Sequence, residues 1–203
     1  MHSKFEIRRQ MRALRRSLSP RERSRAATQL ARQLLRAPPF RRALRIACFL
    51  SADGEIDTGP LIAAAWRLGK QVYLPVLVPF GPQRLWFRAY RPDTALARNR
   101  YGILEPREGR RLDGRELDLV LTPLVAFDGQ GHRLGMGGGY YDRTFAQLHR
   151  GRWQRPRLLG LAYAFQRVDA LPAEPWDVPL WGVATERGLH RFDNNTDKDR
   201  PSP

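Results

Sequence analysis

Apolar residues open the chain at near-helical spacing: Phe5, Ile7, Met11, Leu14 and Leu18 predict a helix over 4–18. Ser19-Pro20-Arg21-Glu22 reads as a second helix start. Ser19 can cap, Pro20 suits the first helical position, and Glu22 completes a capping box. That helix is expected to run to about Arg36 and stop at Pro38-Pro39. The pattern then shifts to short apolar runs separated by helical stretches. Strands are predicted at 45–50, 71–76, 84–90, 118–122, 158–162 and 181–185, the third nearer an edge, with helices at 60–68 and 140–149. Such alternation predicts an α/β fold: a mainly parallel sheet flanked by helices in three α/β/α layers, preceded by a basic helical segment. One domain over 1–192 is expected, with residues 193–203 a disordered tail.

Composition narrows the class. The chain has 203 residues, enough to bury a core unaided, and 42% of them are hydrophobic. Cys48 is the only cysteine, which excludes internal disulfides and multi-cysteine zinc sites. No apolar run is long enough to span a membrane, and the first residues lack the apolar core of a signal peptide, so a soluble cytoplasmic protein is expected.

Net charge is +16, and residues 1–45 carry one lysine and 13 arginines against Glu6 and Glu22, a local +12. Three readings stay open: a polyanion-binding arm, solvated helix faces, or one or two cations meeting a nucleotide's phosphates while the others face water. A nucleic-acid arm would interleave aromatics for base stacking, and residues 1–45 offer only Phe5 and Phe40.

The chemistry concentrates in residues 127–143, FDGQGHRLGMGGGYYDR, between the fourth predicted strand and a predicted helix. Four of residues 135–139 are glycine, so the backbone can approach a ligand closely. The helix start just beyond offers free N–H groups and a positive dipole end, suited to phosphate. Arg133 and Arg143 bracket the loop, and Asp142 adds a hard oxygen of the kind magnesium prefers. The segment is neither a Walker loop nor a dinucleotide fingerprint, because Tyr140 stands where the third glycine would fall.

This segment resembles the longest motif of the 5-formyltetrahydrofolate cyclo-ligase family, F-D-x-x-G-x-R-L-G-x-G-x-G-[YF]-Y-D-R, throughout. The resemblance extends to the basic opening helix, Leu50 to Thr58, Tyr101 to Pro106, and Trp176 to Leu180. It implies ATP-dependent closure of 5-formyltetrahydrofolate to 5,10-methenyltetrahydrofolate, with ADP and phosphate released and Mg2+ as cofactor. It further implies that Lys4, Arg8, Arg133, Leu134, Gly135, Met136, Gly137, Gly138, Gly139, Tyr140 and Tyr141 bind ATP. Leu50, Glu55, Met136, Gly137, Gly138, Gly139 and Tyr140 would hold the folate, and Asp142 and Asp177 the magnesium. No protein nucleophile is expected; Arg133 and Arg143 would stabilise charge. Some relatives have lysine at Gly138, many have histidine at Trp176, and aspartate is frequent at Trp181. For Asp142 the alternative is a helix residue complementing the dipole, for Asp177 a turn residue, and for Glu55 a solvated loop residue. Asp57 and Thr58 read as helix caps, and Cys48 as inert core.

The competing functions are a basic nucleic-acid-binding protein using the arginine-rich opening and a phosphosugar or coenzyme-A enzyme on a similar scaffold. The expected partners are 5-formyltetrahydrofolate, possible polyglutamylated forms included, and ATP; membrane and nucleic acid are not expected, and a monomer is.

Overall fold

The computed structural model describes residues 3–79, 83–153 and 155–192. The tail expected to be disordered, 193–203, lies outside the described residues. In chain order the elements are α1 (Lys4–Ser17), α2 (Pro20–Arg36), α3 (Pro38–Arg42), β1 (Arg45–Ala47), α4 (Gly59–Arg67), β2 (Gln71–Leu77), β3 (Leu85–Ala89), β4 (Leu96–Arg98), β5 (Leu104–Pro106), β6 (Arg111–Leu112), β7 (Leu119–Pro123), β8 (Ala126–Phe127), β9 (Arg133–Leu134), α5 (Tyr140–His149), β10 (Arg157–Leu161), β11 (Gly182–Thr185) and β12 (Gly188–Arg191). Eight strands form one sheet in the order β12-β11-β10-β7-β1-β2-β3-β6. The five strands from β11 to β2 run parallel, while β12, β3 and β6 pair antiparallel at the two sides. The sheet is therefore mixed but mostly parallel. β3, expected nearer an edge, has β6 beyond it.

Period-two alternation divides the sheet residues between two cores. Ile46, Leu119, Leu121, Leu159 and Leu161 face α2 and α4, packing with Leu30, Leu34, Leu61 and Ile62. Ala47, Val120 and Leu158 face the opposite way, toward Phe87, Phe145 of α5, Leu180 and Val183. Helices thus cover both faces, as the sequence predicts.

Both helix starts are built as expected or better. Ser19 Oγ accepts from Glu22 N at 3.3 Å and Ser19 N donates to Glu22 Oε2 at 2.8 Å, and Ser3 and Glu6 form the same box before α1. The α1 stripe differs from expectation. Phe5 is 69% exposed and Leu14 41%, while Ile7, Met11 and Arg15, each four residues apart, form the buried line. Ile7 and Met11 pack on Val125, Ala126, Leu134 and Leu171. α2 stops at Arg36 as predicted, but Pro38-Pro39 begins α3 rather than a loop, because proline is tolerated in a first turn.

Candidate active site

The glycine segment leaves β9 and turns into α5, outside the carboxyl ends of the parallel strands, where open α/β sheets bind ligands. Gly139 is the N-cap residue of α5, with φ of +62° and no capping side chain. That left-handed backbone is what favours glycine; a Cβ there would also stand 2.9 Å from the movable Arg143 guanidinium. With no capping side chain, the first-turn N–H groups of α5 are available to an anion.

Side chains from three elements hold this turn. Arg8 of α1 donates from Nε to the Gly135 carbonyl at 2.8 Å. Arg143 donates to the Gly138 carbonyl and, through Nε, to the Gln83 carbonyl at 3.1 Å. Arg133 pairs with Asp142 at 2.5 Å and donates to the Val178 carbonyl, while Asp142 Oδ1 also accepts from Val178 N at 3.1 Å. The segment containing Asp177 is thereby fastened to the loop. Asp177 Oδ2 accepts from Glu174 N at 2.9 Å, closing a turn, and Lys4 pairs with Glu174 at 3.2 Å. Lys4, Arg8, Arg133, Asp142 and the Asp177 turn, separated in sequence, are brought together around residues 135–139. Met136 is exposed there, and Leu134 is buried beneath. Among the described residues, no group of three or more His, Cys, Asp or Glu side chains gathers to hold a metal.

Glu55 lies in a second, adjoining region. Its side chain is only 15% exposed, contrary to a solvated loop residue, and Oε2 accepts from Ala52 N at 3.1 Å. Burial pushes its carboxyl up to about 7, against the Ala52 hydrogen bond and the Arg15 charge, which lower it. Leu50, partly buried, packs on the neighbouring core. Tyr141 connects the two regions: burial raises its phenol's proton affinity, Glu55's charge raises it further, and Arg133 opposes both. The preceding residue, Tyr140, turns outward. Its hydroxyl lies 2.9 Å from that of Tyr101 and accepts from Arg100 at 2.5 Å. Hydrogen bonding to Tyr101 lowers its phenol's proton affinity, and Arg100 adds to that.

The remaining candidates resolve simply. Cys48 is buried core, its thiol pushed up to about 12 by burial. Asp57 caps α4 through Gly59 N at 2.9 Å, but Thr58 does not cap: its hydroxyl donates to the Phe49 carbonyl at 2.6 Å. His132, beside Arg133, is bound to Asp128 at 2.9 Å in a turn below the loop. Arg15, Asp53, Arg100 and Tyr101 were not singled out by sequence. For Arg15 the available signal was its place on the Ile7–Met11 line; for Asp53 it was the Asp-Gly turn.

The fold and site together define an α/β protein with an arginine-clasped, phosphate-type turn beside a buried carboxylate. Residues 1–186 match the model of the 5-formyltetrahydrofolate cyclo-ligase family. A 5-formyltetrahydrofolate cyclo-ligase of Escherichia coli is 46% identical over 86% of this chain and 96% of that protein, and one of Haemophilus influenzae is 43% identical over 88% and 95%. The solved structure of 5,10-methenyltetrahydrofolate synthetase from Aquifex aeolicus superimposes with a TM-score of 0.79 at 31% identity, over 98% of this chain and 96% of that one. The chain belongs to the 5-formyltetrahydrofolate cyclo-ligase family, whose members are ligases of folate metabolism. The comparisons offer nothing for the nucleic-acid alternative, and much of the arginine-rich opening is spent on protein partners: Arg8, Arg12, Arg15, Arg16 and Arg23 all hydrogen-bond within the fold.

Proposed function

We propose that the chain closes 5-formyltetrahydrofolate to 5,10-methenyltetrahydrofolate at the expense of ATP. The observation that carries this reading is that residues 135–139, held at one end by Arg8 on the Gly135 carbonyl and flanked by the Arg133–Asp142 pair, lead into the uncapped start of α5 two residues before Tyr141, whose phenol feels the Glu55 charge. The loop and its cations bind the triphosphate. Glu55 accepts hydrogen bonds from the amino and ring N–H donors of the pterin. The formyl oxygen is a poor leaving group, so it attacks the γ-phosphorus and ADP departs. The neighbouring folate nitrogen then attacks the activated formyl carbon and closes the ring, its proton and the former formyl oxygen leaving together as hydrogen phosphate. The protein's part is in-line positioning and charge neutralisation, which needs no protein nucleophile. Arg133 and Arg143 neutralise charge as the phosphoryl group moves.

The acidic residues fit magnesium in number and type. Magnesium takes one or two protein carboxylates and completes its shell with phosphates and water. Asp142 and Asp177 would supply them. Arg133 and Val178 N both donate to Asp142 Oδ1, so Oδ2 is the oxygen a cation would take. When bound, the ion would neutralise phosphate charge. One sheet built from both halves of the chain supports a single domain over 1–192. We place the enzyme in the cytoplasm, as a monomer, in this reading. No helix among the described residues is long and apolar enough to cross a membrane.

The test is product formation. With ATP and Mg2+, 5-formyltetrahydrofolate is expected to yield the near-ultraviolet absorbance of the methenyl product, and without ATP none. An ATP-independent signal, or none with ATP, overturns the reading.

A further inference from the structure

Lys4, Arg8, Met11 and Arg15 stand at i, i+4, i+7 and i+11, on one face of α1. Arg8 reaches the glycine turn. Arg15, seven residues on and about 10 Å farther along the axis, reaches the folate side. It is wholly buried, unusual for an arginine. Its Nη2 donates to Asp53 Oδ2 at 3.1 Å, its Nη1 donates to the Leu124 carbonyl at 3.4 Å and lies 3.9 Å from Glu55 Oε1, and its Nε has no hydrogen-bond partner.

The turn carrying Glu55 is shaped to meet it. Asp53 and Gly54 both have positive φ, +49° and +73°, and Glu55 N closes the turn on the Ala52 carbonyl at 2.9 Å. A Cβ on Gly54 would stand 3.1 Å from the Arg15 carbonyl, so the turn lies directly against α1. Asp53 is shared with Arg12, at 2.6 Å, and with Arg16. One carboxylate thus serves three guanidiniums. Glu55 is the second anion beside the only one of the three that is fully buried.

We propose that Arg15 is a positioning residue for the folate: it fixes the Glu55 carboxylate in place, ready to accept the pterin's N–H donors. This rests on the assignment of Glu55 to the pterin. The groups facing Glu55 are Arg15 from α1, Asp53 from its own turn and Tyr141 from α5; Tyr141 in turn sees Cys48 and Arg133. Among the described residues, Arg15 is the cation that acts on Glu55, opposing burial and Asp53. Without it, the carboxyl would stay protonated to higher pH, and a protonated carboxyl cannot accept at both oxygens.

The experiment is calorimetric binding of 5-formyltetrahydrofolate without ATP, across pH, to the full chain and to Arg15→Met, Arg15→Lys, Glu55→Gln and the double variant. Circular dichroism confirms that each is folded. The wild type is expected to bind about tenfold tighter at pH 8 than at pH 6 as Glu55 ionises. Arg15→Met shifts that rise upward by about one pH unit, making binding about fivefold weaker at pH 7. Arg15→Lys keeps the charge and the wild-type profile. Glu55→Gln loses affinity and most of the pH dependence, and adding Arg15→Met to it changes little. An Arg15→Met profile that overlays the wild type while Glu55→Gln is weak overturns the role of Arg15 alone. Wild-type affinity in Glu55→Gln overturns the assignment of Glu55, and the inference with it. If Arg15→Met does not fold, Arg15→Gln answers the same question: an unshifted profile refutes the proposal, and an upward shift supports it.

Discussion

Glu55 should cost the free protein stability at neutral and alkaline pH, and Glu55→Gln should recover it. Burial raises its folded-state affinity for a proton to about 7, from an ordinary value of 4.5. Below 4.5 both folded and unfolded chains hold the proton, and nothing is lost. As pH rises toward 7 the unfolded chain releases it while the folded chain keeps it, so folding weakens steadily; above 7 the loss is complete. At about 1.4 kcal/mol per pH unit, this group's contribution falls by on the order of 3 kcal/mol across that window. Glutamine keeps the shape and carries no charge. The assay is urea unfolding of wild type and Glu55→Gln at pH 5 and pH 8. Glu55→Gln should gain on the wild type between the two by roughly 2–3 kcal/mol, while losing folate affinity. A stability difference that does not change with pH would refute the reasoning, because it would mean that Glu55 is not desolvated in the folded chain.

Three further outcomes follow from the site. Asp142→Ala frees Arg133 and Val178 N, and should lower kcat about 100-fold or more with the fold kept by circular dichroism; unchanged turnover in a magnesium titration would contradict its role. Arg8→Ala removes the bond to the Gly135 carbonyl, so KM for ATP should rise about tenfold while KM for the folate stays within twofold; the reverse split would place Arg8 on the wrong substrate. Gly139→Ala forces a Cβ into a left-handed residue against Arg143, and should destabilise by about 1–2 kcal/mol in urea and weaken nucleotide binding; a neutral result would mean that the turn adopts another conformation.

Much of this architecture was written in local pattern. The bounds expected for α5, 140–149, match Tyr140–His149, because a glycine run sets its start; the element is kinked at Phe145, where the backbone leaves helical values. The Ser19–Glu22 box fixed the start of α2 for the same local reason. What failed depended on distant partners. β1 ends at Ala47 although the apolar run continues to Leu50: Cys48 N still bonds the Tyr73 carbonyl of β2 at 2.9 Å, and beyond it Phe49 and Leu50 are held by core packing. β12 was missed because Gly188-Leu189-His190-Arg191 has no apolar alternation; it forms by completing the edge of β11. Phe5 looked like core and is exposed, since what α1 packs against is decided by Val125, Leu134 and Leu171 far along the chain.

The site divides in the same way. The glycine motif marks its own turn, and the resemblance it carries pointed to Glu55, Asp142 and Asp177. Arg15 was hidden among thirteen arginines in the first 45 residues, chemically identical to neighbours that face water. Its place on the Ile7–Met11 line is the one local mark that sets it apart, and tertiary packing gives that mark its meaning. Arg100 and Tyr101 meet Tyr140 from 39 and 40 residues away, a pairing that no local spacing announces.

The most direct measurement is a crystal structure with a non-hydrolysable ATP analogue, Mg2+ and 5-formyltetrahydrofolate bound together. The account predicts the triphosphate on main-chain amides of residues 135–141 within reach of Arg8 and Arg133, its terminal phosphate facing the formyl oxygen, and the pterin on Glu55. A triphosphate bound elsewhere, with the glycine turn open to bulk water, would contradict it.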